Sequence, residues 1–309
     1  MISIYFDKGT IVARGNVRVP NTAWDARSNC YRGQAMYYKD VAEYLKSSKL
    51  DFSDNVLDLV PCPNLKSKVE LRDYQENALR AWIKAGYKGT VVLPTGSGKT
   101  VVAIKAISHL NQAALIVVPT LDLMEQWRRR LKEEFQVDIG VYGGGEHDLK
   151  AVTVATYDTA YLRAEELGNK FKLIIFDEVH HLPSPGYSNI AEMFASPYRL
   201  GLTATYERED GLHVELPRLV GGKIFEVEAE RLAGKHLAEY DLEIIPTRLT
   251  EEEKEEYSRH YKTYLNYLRA NKIVLRNQRD FQRLIMRSGR DPKAREALLA
   301  RHRARVIAL

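Results

Sequence analysis

Five short, continuously apolar runs separated by helical stretches constrain the fold more than any other feature of this chain. They are TVVL at 90–93, ALIVVP at 114–119, VTVAT at 152–156, KLIIFDE at 172–178 and YRLGLTAT at 198–205. A strand with one wet face alternates apolar and polar residues, so a strand without alternation is covered on both faces. That is the condition of a parallel sheet between two helix layers. Between two of the runs, Met124, Trp127, Leu131 and Phe135 recur at helical spacing. Trp127 therefore reads more readily as core than as a base-stacking ring.

The chemistry sits at the ends of these runs. TVVL leads directly into Leu93-Pro94-Thr95-Gly96-Ser97-Gly98-Lys99-Thr100 and then the helical VVAIKAISHL. Strand, glycine loop and helix occur in the order a phosphate site needs. The glycines let backbone N–H groups converge on phosphate, and the helix N-terminus adds its dipole. Lys99 can reach the β- and γ-phosphates, and the Thr100 hydroxyl can ligate Mg²⁺. The pattern departs at position 93, where the strict motif has glycine and this chain has leucine. A second run ends in Asp177-Glu178-Val179-His180. An aspartate at the carboxyl end of a strand can hold Mg²⁺, and the adjacent glutamate can orient or deprotonate an attacking water. His180 and His181 have no second pair at zinc-ligand spacing. Gly201-Leu202-Thr203-Ala204-Thr205 places two hydroxyls after another buried strand, where they can sense a nucleotide. Upstream, in Leu71-Arg72-Asp73-Tyr74-Gln75-Glu76, the Gln75 amide can hydrogen-bond both edges of adenine. Read alone, this last segment is the start of an amphipathic helix.

With 309 residues, 45% of them hydrophobic and 28% charged, the chain has material for two or three domains. Residues 1–62 begin with alternating Ile2, Ile4 and Phe6, a turn at Asp7-Lys8-Gly9 and a second run from Ile11 to Val19, which predicts a hairpin. A helix is expected over Met36–Ser47, and Pro61-Cys62-Pro63 closes this small α+β domain. Residues 63–240 form the parallel-sheet domain. Residues 241–309 change character after Pro246. Thr250 and Glu253 form a capping box there, and Tyr257, Tyr261, Tyr264 and Leu268 make a packing stripe. Residues 269–309 hold 12 basic and 3 acidic side chains, which suits a phosphate backbone or an acidic partner as well as a solvated helical face. The net charge of residues 1–62 is only +1, so their aromatics Trp24, Tyr31, Tyr37 and Tyr38 read as core before they read as base-stacking rings. No apolar run approaches the roughly 20 residues of a membrane span. Cys30 and Cys62 have neither metal spacing nor the number for a disulfide framework, so a cytoplasmic protein with no membrane partner is expected.

Taken together, these segments resemble the superfamily 2 helicases and translocases. Tyr74-Gln75 is similar to the adenine-reading Gln motif, PTGSGKT to motif I, DEVH to motif II and TAT to motif III. Val118-Pro119-Thr120 with Gln126-Trp127 resembles motif Ia, and Ala155-Thr156-Tyr157 a second strand-contacting motif. Arg208-Glu209-Asp210 resembles the RED motif of the xeroderma pigmentosum group B helicases, in their archaeal form.

The resemblance implies a fold class of α/β type. A RecA-like P-loop parallel-sheet domain over 63–240 is preceded by a small damage-recognition-like α+β domain over 1–62. It is followed over 241–309 by the start of a second motor domain with a basic, thumb-like helical region. The implied activity is ATP-dependent 3′-to-5′ movement on DNA in nucleotide excision repair and transcription, with ATP and Mg²⁺ as cofactors. Arg72, Gln75, Thr95, Gly96, Ser97, Gly98, Lys99 and Thr100 would bind the nucleotide, and Thr100 and Asp177 the metal. Lys99, Asp177 and Glu178 would be catalytic. Thr120, Gln126, Thr156, Tyr157, Thr203, Thr205, Arg208, Glu209 and Asp210 would contact nucleic acid or couple it to the nucleotide. The implied partners are single-stranded or forked duplex DNA and a nuclease or a transcription and repair complex, with the chain acting as a monomer.

The arginine fingers of the family lie in motif VI of a second RecA-like domain. No motif V or VI precedes the ending Arg305-Val306-Ile307-Ala308-Leu309, which reads as a charged helix running into a strand. An N-terminal portion with little or no turnover of its own is therefore expected. The motor of a restriction enzyme and a nucleotide-gated DNA-binding scaffold are the competing readings.

Overall fold

The computed structural model describes residues 2–15, 17–234, 249–274, 278–289 and 291–308. They belong to two compact units, Met1–Glu239 and Tyr240–Leu309. The boundary expected at 240 and the change after Pro246 lie outside the described residues.

The first unit contains two sheets. β1 (Ile2–Asp7) and β2 (Thr10–Arg14) form the hairpin, with Phe6 opposite Ile11 across the turn. The second strand stops at Arg14, well short of Val19. β3 (Ala23–Asp25) and β4 (Cys30–Gln34) follow, then α1 (Tyr38–Ser47) behind a 3₁₀ turn, and β5 (Phe52–Asn55). The order is β3-β4-β2-β1-β5, with β5 parallel to β1. Ile4, Ile11, Val41, Leu45 and Val56 close the core of this sheet. Trp24 does not join them: it is 52% exposed and packs edge-on to Tyr31 at 5.1 Å. Trp24 lies on the three-residue edge strand of this sheet, and there the core reading fails.

The larger sheet is built as the unbroken apolar runs require. Its elements are α2 (Asp73–Lys84), β6 (Lys88–Val92), α3 (Lys99–Leu110), β7 (Ala114–Val118), α4 (Leu121–Phe135), β8 (Gly140–Gly143), β9 (Glu146–Asp148), β10 (Val152–Thr156), α5 (Tyr157–Leu162), α6 (Ala164–Leu167), β11 (Leu173–Asp177), α7 (Ser188–Met193), β12 (Tyr198–Thr203), α8 (Leu216–Leu219) and β13 (Lys223–Glu226). The strand order is β13-β6-β12-β11-β7-β10-β8-β9, and only β9 is antiparallel to its neighbour. One apolar layer places Ala78, Trp82, Ile104, Trp127 and Leu131 against Val91, Ile116, Val154 and Ile175. The opposite layer places Tyr157, Ala160, Ile190 and Leu216 against Leu115, Val117, Ile174 and Phe176. Alternate residues of β7 and β11 thus serve opposite layers. The topology is the RecA-like α/β arrangement, with motif-bearing loops at the carboxyl ends of β6, β11 and β12.

The second unit is helical. α9 (Glu251–Ala270) starts at the capping box: Thr250 Oγ1 accepts from the Glu253 N–H at 3.2 Å, and the Thr250 N–H donates to Glu253 Oε2 at 2.8 Å. α10 (Gln278–Ser288) and α11 (Pro292–Ala308) complete it. Tyr264 and Tyr267 are buried against Leu284, Ala294 and Ala297, whereas Tyr261 is 41% exposed and stacks on the half-buried Tyr257. The small residues Ala294, Ala297, Ala300 and Ala304 form the buried face of α11. Val306–Ala308 continue that helix rather than opening a strand. Among the described residues, no helix is long and apolar enough to cross a membrane.

Candidate nucleotide site

The glycine loop follows β6 and ends where Lys99 opens α3. Leu93, where the strict motif has glycine, is fully buried in the core, and its N–H donates to the Thr203 carbonyl at 3.0 Å. The sheet therefore runs one residue further, and the loop turns on Gly96 (φ +77°) and Gly98 (φ +83°). Ser97 Oγ donates to the Pro94 carbonyl at 2.6 Å. Thr95 and Gly96 are exposed at the loop's crest. The Lys99 ammonium lies back over the loop, 3.3 Å from the Leu93 carbonyl and 3.5 Å from that of Pro94.

The segment expected to read adenine is braced onto this loop. The Tyr74 hydroxyl and Gln75 Nε2 both donate to the Ser97 carbonyl, at 2.7 and 2.8 Å. Gln75 Oε1 accepts the Arg72 N–H at 2.9 Å, capping α2. Both ends of the buried Gln75 amide are thus held by protein groups, and the amide meets the glycine loop from below.

Asp177 ends β11 at 7% exposure. Its Oδ2 accepts the Trp127 indole N–H at 2.8 Å, its Oδ1 the Glu178 N–H at 3.1 Å, and its carbonyl the Tyr157 hydroxyl at 3.1 Å. Burial is the main cause that raises the Asp177 carboxyl above the ordinary range, against the lowering effects of Trp127 and Lys99. Glu178 moves the opposite way. A hydrogen bond from His180 lowers it first, and Lys99 adds to that. Glu178 itself has φ +48°, a left-handed conformation uncommon for a residue with a side chain.

Motif II joins motif III through His180. The Thr203 hydroxyl donates to the Thr205 carbonyl at 2.8 Å and accepts the Thr205 N–H at 3.1 Å. The same hydroxyl oxygen lies 3.0 Å from His180 Nδ1 and 3.5 Å from Glu178 Oε2, which is itself 3.4 Å from that nitrogen. The Arg208 guanidinium then donates to the His180 carbonyl and to both Asp210 oxygens, at 2.9 and 2.6 Å. The RED segment thus lies against motif II, with Glu209 exposed beside it.

Thr100, Asp177, Trp127, Gln126, Leu123 and Arg130 line one cavity of about 260 Å³. Its hydroxyl and carboxylate are the hard oxygen donors that Mg²⁺ takes, so the residues present fit that ion. Gln126, expected at a nucleic-acid strand, faces this cavity. Thr120 is exposed and caps α4, accepting the Leu123 N–H at 3.3 Å; Thr156 caps α5 in the same way through Thr159. Tyr157, expected to contact nucleic acid or couple it to the nucleotide, is 1% exposed, and its ring packs beneath motif II. A larger opening of about 390 Å³ belongs to the helical unit and is lined by Arg259, His260, Arg295 and Arg303, with none of the motif residues.

Sequence reasoning missed Trp127 Nε1 as a partner of Asp177 and Tyr74 as a brace of the loop. Helical spacing reported the burial of Trp127, but nothing in it reported the direction of the indole N–H.

Residues 4–56 match the damage recognition domain of xeroderma pigmentosum group B helicases, and residues 68–208 match the res subunit of type III restriction enzymes. The chain is 47% identical to the DNA 3′-5′ translocase XPB2 of Sulfurisphaera tokodaii over 309 residues, which is 100% of this chain and 70% of that protein. It is 40% identical over 201 residues to the putative DNA 3′-5′ helicase Rad25 of Haloarcula marismortui, covering 62% of this chain and 32% of that one. With the XPB subunit of general transcription and DNA repair factor IIH from Schizosaccharomyces pombe it shares 27% identity over 262 residues, 78% of this chain and 32% of the subunit. The chain thus spans about a third of these last two relatives. A damage recognition domain ahead of the helicase core, and 47% identity over most of an XPB translocase, place this chain in the xeroderma pigmentosum group B helicase family.

Proposed function

We propose that the chain is the nucleotide-binding half of an ATP-dependent 3′-to-5′ DNA helicase or translocase that serves nucleotide excision repair and transcription. The observation that carries this reading is the convergence at one edge of the sheet of Lys99, Thr100, Asp177 and Glu178, with Thr100 and Asp177 on one cavity. ATP is the nucleotide. Thr95 to Thr100 cradle its phosphates at the start of α3, Lys99 leaves the loop carbonyls for the β- and γ-phosphates, and Thr100 and Asp177 hold Mg²⁺. The metal, when bound, supplies charge neutralisation between the phosphates. Glu178, kept ionised by His180 and Lys99, orients the attacking water. Arg72 and Gln75 set the base edge of the site by bracing the loop from α2.

Nucleotide-dependent changes pass through the Glu178, His180 and Thr203 contacts to Arg208, Glu209 and Asp210, and through Asp177 toward the strand-facing segments at Thr120 and Thr156. Single-stranded or forked DNA is the partner, and a nuclease or a transcription and repair complex is the larger setting. The chain acts as a monomer. Residues 1–62 serve as the damage-recognition unit, 63–240 as the first motor domain and 241–309 as the start of the second motor domain with its basic, thumb-like helical region. Alone, the chain turns ATP over slowly or not at all, because the fingers of such motors belong to a second RecA-like domain and supply about 10³–10⁵ of the rate.

A restriction-enzyme motor is the second reading, and the match over 68–208 favours it; the damage recognition match over 4–56 favours the first. Lys99→Ala tests the nucleotide site itself. ATP binding measured by calorimetry is lost while binding to single-stranded DNA is kept. Retention of full ATP affinity in the variant overturns the assignment.

A further inference from the structure

Asp177 is a carboxylate held almost out of water, and two aromatic side chains from opposite sides of the sheet fix it. Trp127 belongs to the apolar layer with Met124 and Leu131, and Tyr157 to the layer with Phe176 and Ala160. From the first side the indole N–H holds Oδ2 at 2.8 Å; from the second the phenol holds the Asp177 carbonyl at 3.1 Å. Side chain and main chain of the same residue are thus clamped independently.

The chemistry of the two donors suits this task. An indole N–H donates and never accepts, so it supports an acceptor oxygen and offers nothing to a carboxyl O–H. At 3% exposure Trp127 has no room to turn, which holds in place the carboxylate oxygen it donates to. The Glu178 N–H takes the other oxygen at 3.1 Å. Rotation of the carboxylate would therefore break two hydrogen bonds at once. Trp127 also lines the cavity that Thr100 and Asp177 share, so the donor stands at the edge of the space where the ion would sit.

We propose that Trp127 is the positioning residue for the Mg²⁺-nucleotide at this site, holding the Asp177 carboxylate in its metal-binding orientation while Tyr157 anchors the backbone beneath it. This rests on the reading of Thr100 and Asp177 as the metal-binding pair. It also gives the strand-facing segments a mechanical route to the metal. α4 is capped by Thr120 and carries Trp127, α5 is capped by Thr156 and opens with Tyr157, and each helix sends one aromatic donor to Asp177.

The test is calorimetric titration of the 309-residue chain with ATP, in Mg²⁺ and in EDTA, beside Trp127→Phe. The phenyl ring retains most of the packing and removes the donor. The tighter binding that Mg²⁺ gives is expected to shrink about tenfold or more, the size seen when the hydrogen-bond partner of a metal ligand is removed. Affinity in EDTA is expected to stay within about twofold, because only the metal-dependent part runs through Asp177. Leu131→Ala, a buried neighbour on the same helix with no polar contact, lowers the melting temperature and leaves the Mg²⁺ gain intact. In an Asp177→Asn background, Trp127→Phe has no further effect on that gain.

If Trp127→Phe does not fold, the indole ¹H–¹⁵N resonance of Trp127 in the unmodified chain decides. It shifts on adding ATP with Mg²⁺ and stays in place with ATP and EDTA. An unchanged Mg²⁺ gain in Trp127→Phe, an equal loss with and without Mg²⁺, or an indole resonance indifferent to Mg²⁺ overturns the proposal. ATP binding that is absent from the native chain, or insensitive to Lys99→Ala, instead overturns the nucleotide reading beneath it.

Discussion

Gly98→Ala should cost this fold about 2–3 kcal/mol, in two parts that can be separated. Gly98 has φ +83° and ψ 40°, a left-handed conformation whose penalty for an L side chain is about 1–2 kcal/mol. The second part is steric. A Cβ at Gly98 would lie 2.5 Å from Gln75 Nε2, so the amide must leave and give up its 2.8 Å bond to the Ser97 carbonyl, worth about 1 kcal/mol net. Gln75→Ala alone removes that bond and the cap on Arg72, about 2 kcal/mol together. The Ser97 bond can be lost only once, so the double variant should be more stable than the sum of the singles by about 1 kcal/mol. Urea unfolding followed by tryptophan fluorescence isolates the relevant transition, because Trp24, Trp82 and Trp127 all lie in the first unit. Strict additivity to within about 0.3 kcal/mol, or a Gly98→Ala cost under about 0.5 kcal/mol, would refute the argument that α2 and the glycine loop share one contact.

Two further perturbations address the RED segment. Arg208 pulls the Asp210 carboxyl from 3.8 down to about 2, chiefly through their hydrogen bonds. A lowered carboxyl stabilises the fold while ionised. The melting-temperature gap between the chain and Asp210→Asn should therefore be full above about pH 4 and close as pH falls toward 2. A gap that is constant from pH 5 to pH 2.5 would contradict the pairing. Arg208→Ala removes the ties to Asp210 and to the His180 carbonyl. In a protein extended by the second motor domain it should lower unwinding about tenfold and DNA-stimulated ATPase about threefold or less. Equal losses in strand-displacement and phosphate-release assays would count against a coupling role for this residue.

The parallel sheet was legible because its strands are buried on both faces, and unbroken runs such as ALIVVP at 114–119 recur between helical stretches. The glycine loop was legible because strand, turn and helix follow one another within a dozen residues. What escaped depends on contacts between segments far apart in the chain. β13 is placed by pairing with β6 more than a hundred residues earlier, and its sequence KIFE carries no long apolar run. The exposure of Trp24 follows from its place on the edge strand of a five-stranded sheet, an order that the hairpin alone does not dictate. The hydrogen bond from Trp127 to Asp177 spans fifty residues and joins a helix to a strand end. Helical periodicity places that ring inside, and only the packed sheet decides which way the N–H points.

The central claim, half of a split-site DNA motor, is tested most directly by ATP hydrolysis with and without single-stranded DNA. The comparison is between this 309-residue chain and the same chain extended by a complete second RecA-like domain. The account predicts little or no phosphate release from the chain under either condition and DNA-stimulated turnover only from the extended protein. Robust DNA-stimulated turnover by the 309-residue chain alone, or none from either protein, would contradict it.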